Sequence, residues 1–264
     1  MLELLRTGRP LAVAALALAV MAQAPQAAAA TPEAENQAYC ANSAGIYSAD
    51  FSVEACSFLI VSGNRAPKDL AVLFSYRCKG YLDDGKLDRA LQDCSEAIWL
   101  DGNLQPAYHV RALVHERLGR HQRAVTDFTQ AITQQPSSAS AWEGLCRNEL
   151  ALGHVQRSVS ACSESLQLRP EDAPTHATRG LAYLISGAFD AAIGDFDAAL
   201  RADPALPVAL YGRGIARLSL HDSKNGAADI AAAEWLKGDI GKQFADRQHI
   251  KADGDARTPA KPGF

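Results

Sequence analysis

Six cysteines stand in three pairs at one spacing, Cys40 with Cys56, Cys78 with Cys94 and Cys146 with Cys162, each partner sixteen residues from the other. Thiols at a fixed spacing can bind a soft metal, cycle between dithiol and disulfide, or lock the chain as structural disulfides. Metal and redox sites use close pairs such as Cys-x-x-Cys, and none of these cysteines has a neighbour that near. At places shifted by thirty-four residues, Ala112 stands with Phe128, Gly180 with Phe196 and Gly214 with Ile230, so the two cysteines are present together or absent together. A bond between the two positions demands that coupling. The expectation is three structural disulfides, each contributing about 3 kcal/mol through the lost freedom of the unfolded chain.

A second coupled pair is ionic. Arg77, Arg111, Arg179 and Arg213 share one place in the pattern, and Asp93, Asp127, Asp195 and Asp229 lie sixteen residues on; Leu145 and Ala161 replace both at once. Joint loss predicts an Arg–Asp pair within each unit, exposed and worth about 0–1 kcal/mol. A ladder of arginines reading an acidic ligand is the sharper alternative. The seven histidines fall at different places in their units: His121 and His154 are expected near turns and facing water, while His109 and His176 are placed to approach one another without a third ligand. There is no His-Glu-x-x-His string, no Gly-x-Ser-x-Gly elbow and no phosphate-binding glycine loop. The expectation is no enzyme, no metal and no cofactor.

The elements that carry these residues follow from a thirty-four-residue period. Gly102, Pro136, Pro170, Pro204 and Gly238 are spaced by it, as are Gly85, Gly119, Gly153, Gly187 and then His221. Small residues recur at Ala90, Ala124, Ser158, Ala192 and Gly226, and again at Ala97, Ala131, Ser165, Ala199 and Ala233. Between Pro136 and Pro170 lie two amphipathic stretches, Ser140 to Leu152 and Val155 to Leu168, with Gly153 at the turn. That is a helical hairpin whose small columns let its helices close up while Phe128 and Phe196 fill the space between units. One hairpin cannot cover its apolar face, so hairpins must stack.

Tyr183, Gly187, Ala192, Phe196, Ala199 and Pro204, with Trp142, resemble the tetratricopeptide repeat signature. The resemblance implies an all-α, right-handed solenoid of about five stacked helix-turn-helix repeats over residues 71–238, behind an irregular hairpin at 31–70 and ahead of a capping helix at 239–250. It also implies a concave groove lined by the first helix of each unit. The matching places are Ser75, Lys79 and Leu82, then His109, Leu113 and Glu116, then Glu143, Arg147 and Leu150, then Ala177, Leu181 and Leu184, and last Tyr211, Ile215 and Leu218. Family members that grip a terminal carboxylate use Lys, Arg and Asn there. The mostly apolar row here better suits an amphipathic helix or an extended apolar segment; the alternative is that its leucines pack against the next unit as ordinary core and that Glu143 and Arg147, four apart, satisfy each other.

The ends point to export. Arg6 and Arg9 precede an apolar run from Leu11 to Met21, and Ala28, Ala29 and Ala30 offer a cleavage site, so residues 1–30 read as a signal peptide. Residues 251–264, with two Pro, two Gly and few apolar side chains, read as a disordered tail. The formal charge of −4 becomes −5 without Glu3, Arg6 and Arg9, and no concentrated basic surface invites nucleic acid. The expectation is a periplasmic or secreted protein without a membrane segment after cleavage, which binds a protein or peptide in its groove. The alternative is a structural part of an envelope assembly that uses its convex face or ends. Partner identity and oligomeric state stay open.

Overall fold

The structure, a computed structural model, describes residues 31–247, which form thirteen α-helices and no strand. The expected signal peptide at 1–30, the expected disordered tail at 251–264 and the last three residues of the expected cap lie outside the described residues. Helices α1 (Pro32–Ala41) and α2 (Ala49–Val61) form the first hairpin. Five units follow: α3 (Pro67–Asp83) with α4 (Leu87–Leu100), α5 (Gln105–Arg117) with α6 (His121–Gln134), α7 (Ala139–Ala151) with α8 (Val155–Leu168), α9 (Ala173–Ile185) with α10 (Phe189–Ala202), and α11 (Pro207–Ser219) with α12 (Ser223–Leu236). A last helix, α13 (Ile240–Arg247), packs on α11 and α12. Each first helix also touches the first helix of the next unit, which makes the array a solenoid.

Local chemistry sets the ends of these helices. Proline at the first or second position starts α1, α3, α5, α9 and α11, where its fixed φ suits the helix and its missing N–H costs nothing. Each first helix stops at a left-handed residue, Gly85, Gly119, Gly153 and Gly187 with φ of 72°, 67°, 80° and 77°. The next N–H then folds back onto the last turn, as from Arg120 to the His115 carbonyl at 2.8 Å and from His154 to the Glu149 carbonyl at 2.9 Å. In the fifth unit His221 takes the same conformation at φ 64°.

The small columns sit at the closest approach of the helices. Ala90, Ala124, Ser158, Ala192, Ala97, Ala131, Ser165 and Ala199 are all 0% exposed. Cys40 is joined to Cys56, Cys78 to Cys94 and Cys146 to Cys162, with Cα atoms 4.7, 5.4 and 5.0 Å apart, each bond tying the two helices of one hairpin. In units 2 and 4 the same space holds Phe128 and Phe196, both fully buried. Each ring reaches the next unit as well. A Cβ on Gly144 of α7 would lie 2.2 Å from the Phe128 ring, and one on Gly212 of α11 would lie 2.4 Å from Phe196. Only a glycine admits the ring at that approach.

Candidate functional site

The Arg–Asp pairs of units 1, 2, 4 and 5 are bidentate. Arg77 meets Asp93 at 2.7 and 2.9 Å, and Arg111 meets Asp127, Arg179 Asp195 and Arg213 Asp229 at 2.7 to 2.8 Å. The hydrogen bond to its aspartate raises each guanidinium above its ordinary pKa against the opposing effect of burial. The expected exposure is corrected: these aspartates are buried, at 4–7% exposed, so removing one partner strands a charge rather than trimming a surface pair. Each arginine also reaches back to the second helix of the preceding hairpin. Arg77 donates to Ser57, Arg111 to Ser95, Arg179 to Ser163 and Arg213 to Asp197. Within-unit spacing did not reveal this link, although Ser95 and Ser163 lie sixteen residues before their arginines.

The histidine expectations also need correction. His109 and His176 do not meet, since α7 lies between their helices. His176 contacts Asp195 at 3.0 Å and the Pro170 carbonyl at 2.8 Å, and the His109 ring stands edge-on to Phe128 with centroids 5.5 Å apart. Burial and then the charge of Arg147 lower the His109 pKa, with Glu116 opposing. His121 and His154 are half-buried rather than free in water, with Nδ1 of His121 2.9 Å from Asn148 Oδ1 and Nδ1 of His154 2.6 Å from Glu149. Among the described residues no group of three His, Cys, Asp or Glu side chains could hold a metal ion.

The concave residues divide into three zones. At the first end Lys79 is exposed and pairs with Asp83 at 2.5 Å. An open cavity of about 590 Å³ lies beside it, lined by Ser75, Tyr76, Lys79 and Pro106 on one side and by Asn42 and Tyr47 of the α1–α2 loop on the other. That loop is braced: Asn42 donates to the Tyr47 carbonyl at 2.9 Å and accepts from its N–H at 3.1 Å, and Tyr39 packs on Tyr47 and Phe51. In the middle zone Arg147 donates to Glu116 at 2.6 and 2.9 Å and to Glu143 at 2.8 Å. Asn148 adds a bond to Glu116 at 3.1 Å, and Arg169 one to Glu143 at 3.1 Å. Burial pushes the Glu116 carboxyl up, but Arg147, Asn148 and His121 together bring it below its ordinary pKa.

In the third zone the leucines pack as core. Leu150 and Leu181 are buried at 7% and 8% exposed within the core of units 3 to 5. Leu184, Tyr211 and Ile215 are partly buried against the same core, and Leu113 packs between the clusters of units 1 and 2. Phe244 of α13 lies on Tyr211, ring centroids 4.6 Å apart. The row keeps accessible polar groups at Lys79 and in the Glu116–Arg147–Glu143 network.

Known proteins carry the same unit and shape. A family model described as tetratricopeptide repeat matches residues 105–138, which are α5, α6 and the turn between them. The mitochondrial import receptor subunit TOM34 of Rattus norvegicus is 32% identical over 99 residues, covering 37% of this chain and 32% of that protein. The chain thus spans less than a third of the length of the curated relatives it matches. Among solved structures, YrrB, described as a TPR protein with an unusual peptide-binding site, superposes with a TM-score of 0.61 at 18% identity, over 74% of this chain and 99% of that one. A tetratricopeptide repeat protein from Parabacteroides merdae superposes with a TM-score of 0.60 at 15% identity, over 83% and 90%. The chain therefore carries a match to one tetratricopeptide repeat within a solenoid of tetratricopeptide type.

Proposed function

We propose that the chain is a non-catalytic, exported scaffold that binds a protein or peptide segment on its concave face, at the end next to the first hairpin. The observation that carries the reading is the 590 Å³ cavity between the braced α1–α2 loop and helices α3 and α5, where Lys79 and Tyr76 remain accessible. Its size and mixed lining suit the side chains of one extended peptide. Export rests on the leader-like residues 1–30 and on cysteines disposed as structural disulfides, which persist in oxidising compartments. Among the described residues no helix is long and apolar enough to cross a membrane.

The test is a peptide selected from a displayed library against the folded chain. Its affinity should fall at least about tenfold in a Tyr76→Ala, Lys79→Glu variant of unchanged Tm, a loss of about 1.4 kcal/mol. Undiminished binding by that folded variant moves the site elsewhere. A second reading, docking through the convex face, is favoured by Phe51, Phe58 and Val61, exposed along one side of α2, and by Trp99 and Trp235 at 77% and 85% exposed. Under it, Phe58→Glu with Trp99→Glu would abolish binding that the concave variant keeps.

A further inference from the structure

Units 1 and 2 present the same frame with opposite charge at the turn between their helices. In unit 1 the turn carries Asp83, Asp84 and Asp88 in sequence with Lys86 and Arg89. Lys86 is held by Asp84 and Asp50, and the Arg89 guanidinium lies 5.8 Å from the centroid of the Tyr81 ring. One period later, Asp83 gives way to Arg117, Lys86 to Arg120, Asp88 to Gln122 and Arg89 to Arg123. Arg117, Arg120 and Arg123 are exposed, and among the described residues none of them has an ion pair or a side-chain hydrogen bond.

Arg117 suits the last turn of α5, where a cation complements the helix dipole, but folding gives no such reason for Arg120 and Arg123. Arg120 and Arg123 stand at the start of α6, whose first turn contains no acid, so these two charges oppose the positive end of the helix dipole. Behind them His115 is 7% exposed and its Nδ1 has no hydrogen-bond partner. In front lies an open cavity of about 540 Å³ lined by Gly119, Arg120, His121, Gln122, Arg123 and Leu152. One unit on, Arg157 continues the row, its side chain 62% exposed and touching Glu149 only at 3.7 Å.

We propose that this turn edge of units 2 and 3 binds an acidic polypeptide segment, with carboxylates paired to Arg120 and Arg123 and, further along, to Arg157. Arginine forks suit carboxylates bidentately. A segment fits better than a lone ion, because the cavity is open and the cations follow one another along successive units, so several carboxylates in a line are needed to engage them. The inference rests on the interaction-scaffold reading but uses a different face from the concave site, so the two can fail separately.

The probe is a fluorescein-labelled hexaglutamate peptide, titrated with the full chain at low ionic strength and followed by anisotropy. Saturable binding that weakens steeply with salt is expected, as for any surface charge contact. The R120E/R123E variant should lose at least about tenfold in affinity, while its Tm rises by about 1–3 °C as cations leave the positive end of α6. K86E/R89E in unit 1 and the Tyr76→Ala, Lys79→Glu variant should bind as the native chain does. Unchanged affinity in R120E/R123E overturns the proposal, as does an equal loss in K86E/R89E or competition by inorganic phosphate as effective as that by unlabelled peptide. If the reversal lowers Tm instead, the milder R120Q/R123Q must still weaken binding by at least about threefold, and full retention there overturns the proposal as well.

Discussion

Units 1 and 3 close their hairpins with a disulfide, whereas units 2 and 4 close theirs with a phenylalanine at the same place. The difference lies in what each closure reaches. A disulfide ties its own two helices, and the place sixteen residues on holds Val110 after Cys94 and Thr178 after Cys162, side chains larger than glycine. Phe128 and Phe196 span three helices, filling Gly144 and Gly212 of the following unit. The array thus alternates covalent closure within a unit and apolar closure across a boundary.

The largest effect expected from breaking this comparison is at a ring. Phe196→Ala should cost about 3–5 kcal/mol in urea unfolding, the range for deleting a buried aromatic, and should lower the cooperativity between units 4 and 5. Adding Gly212→Val should recover part of that loss, although Gly212→Val alone is destabilising. A double-mutant cycle showing plain additivity would separate the two positions.

Next comes the covalent closure. Replacing Cys146 and Cys162 together by Ala should cost about 3 kcal/mol, and reductant should weaken the native chain by a similar amount for each bond opened. A Phe196→Ala background should respond to reductant as the native chain does. Synergy there would show that the two kinds of closure support one another.

A smaller, pH-dependent effect should mark unit 2. His109 packs edge-on to Phe128 and its folded pKa lies below the ordinary imidazole value, chiefly through burial. The unfolded chain therefore binds the proton more readily, so this contribution is present above the unfolded pKa of about 6.5 and is lost as pH falls through that value toward the folded one. His109→Gln should flatten the fall in Tm between about pH 7.5 and 5.5; an unaltered slope would assign it to another group.

The smallest effect is in the fifth unit, which has neither closure and turns at His221 with positive φ. His221→Gly should raise stability by about 1 kcal/mol, the cost of holding a residue with a Cβ in that conformation. Thermal unfolding checks it.

The hairpins were legible in the sequence because glycine at the turn and proline after the second helix act locally and recur. The cysteine spacing and the Arg–Asp spacing were legible for the same reason, each being a relation within one unit. What crosses a unit boundary was harder to see. Gly144 and Gly212 each follow their phenylalanine by sixteen residues, a signal as regular as the cysteines, but it acquires meaning only when the inter-unit approach is known. The burial of Leu150 and Leu181 was hard to read for a related reason. Helical period assigns them a face, while the packing of the next unit decides whether that face stays open.

The disulfides also set how far the molecule could lengthen under tension. A chain pulled from its two ends gains reach as hairpins unravel, at about 3.5 Å per released residue. Each bond spans a sequence separation of 16, so each withholds roughly 55 Å of contour length that only reductant can release. Unit 2 lies between two locked hairpins and unit 4 beyond the second. Tension would therefore extend units 2, 4 and 5 and leave the hairpin that borders the concave cavity, unit 1 beside it and unit 3 tied across their helices.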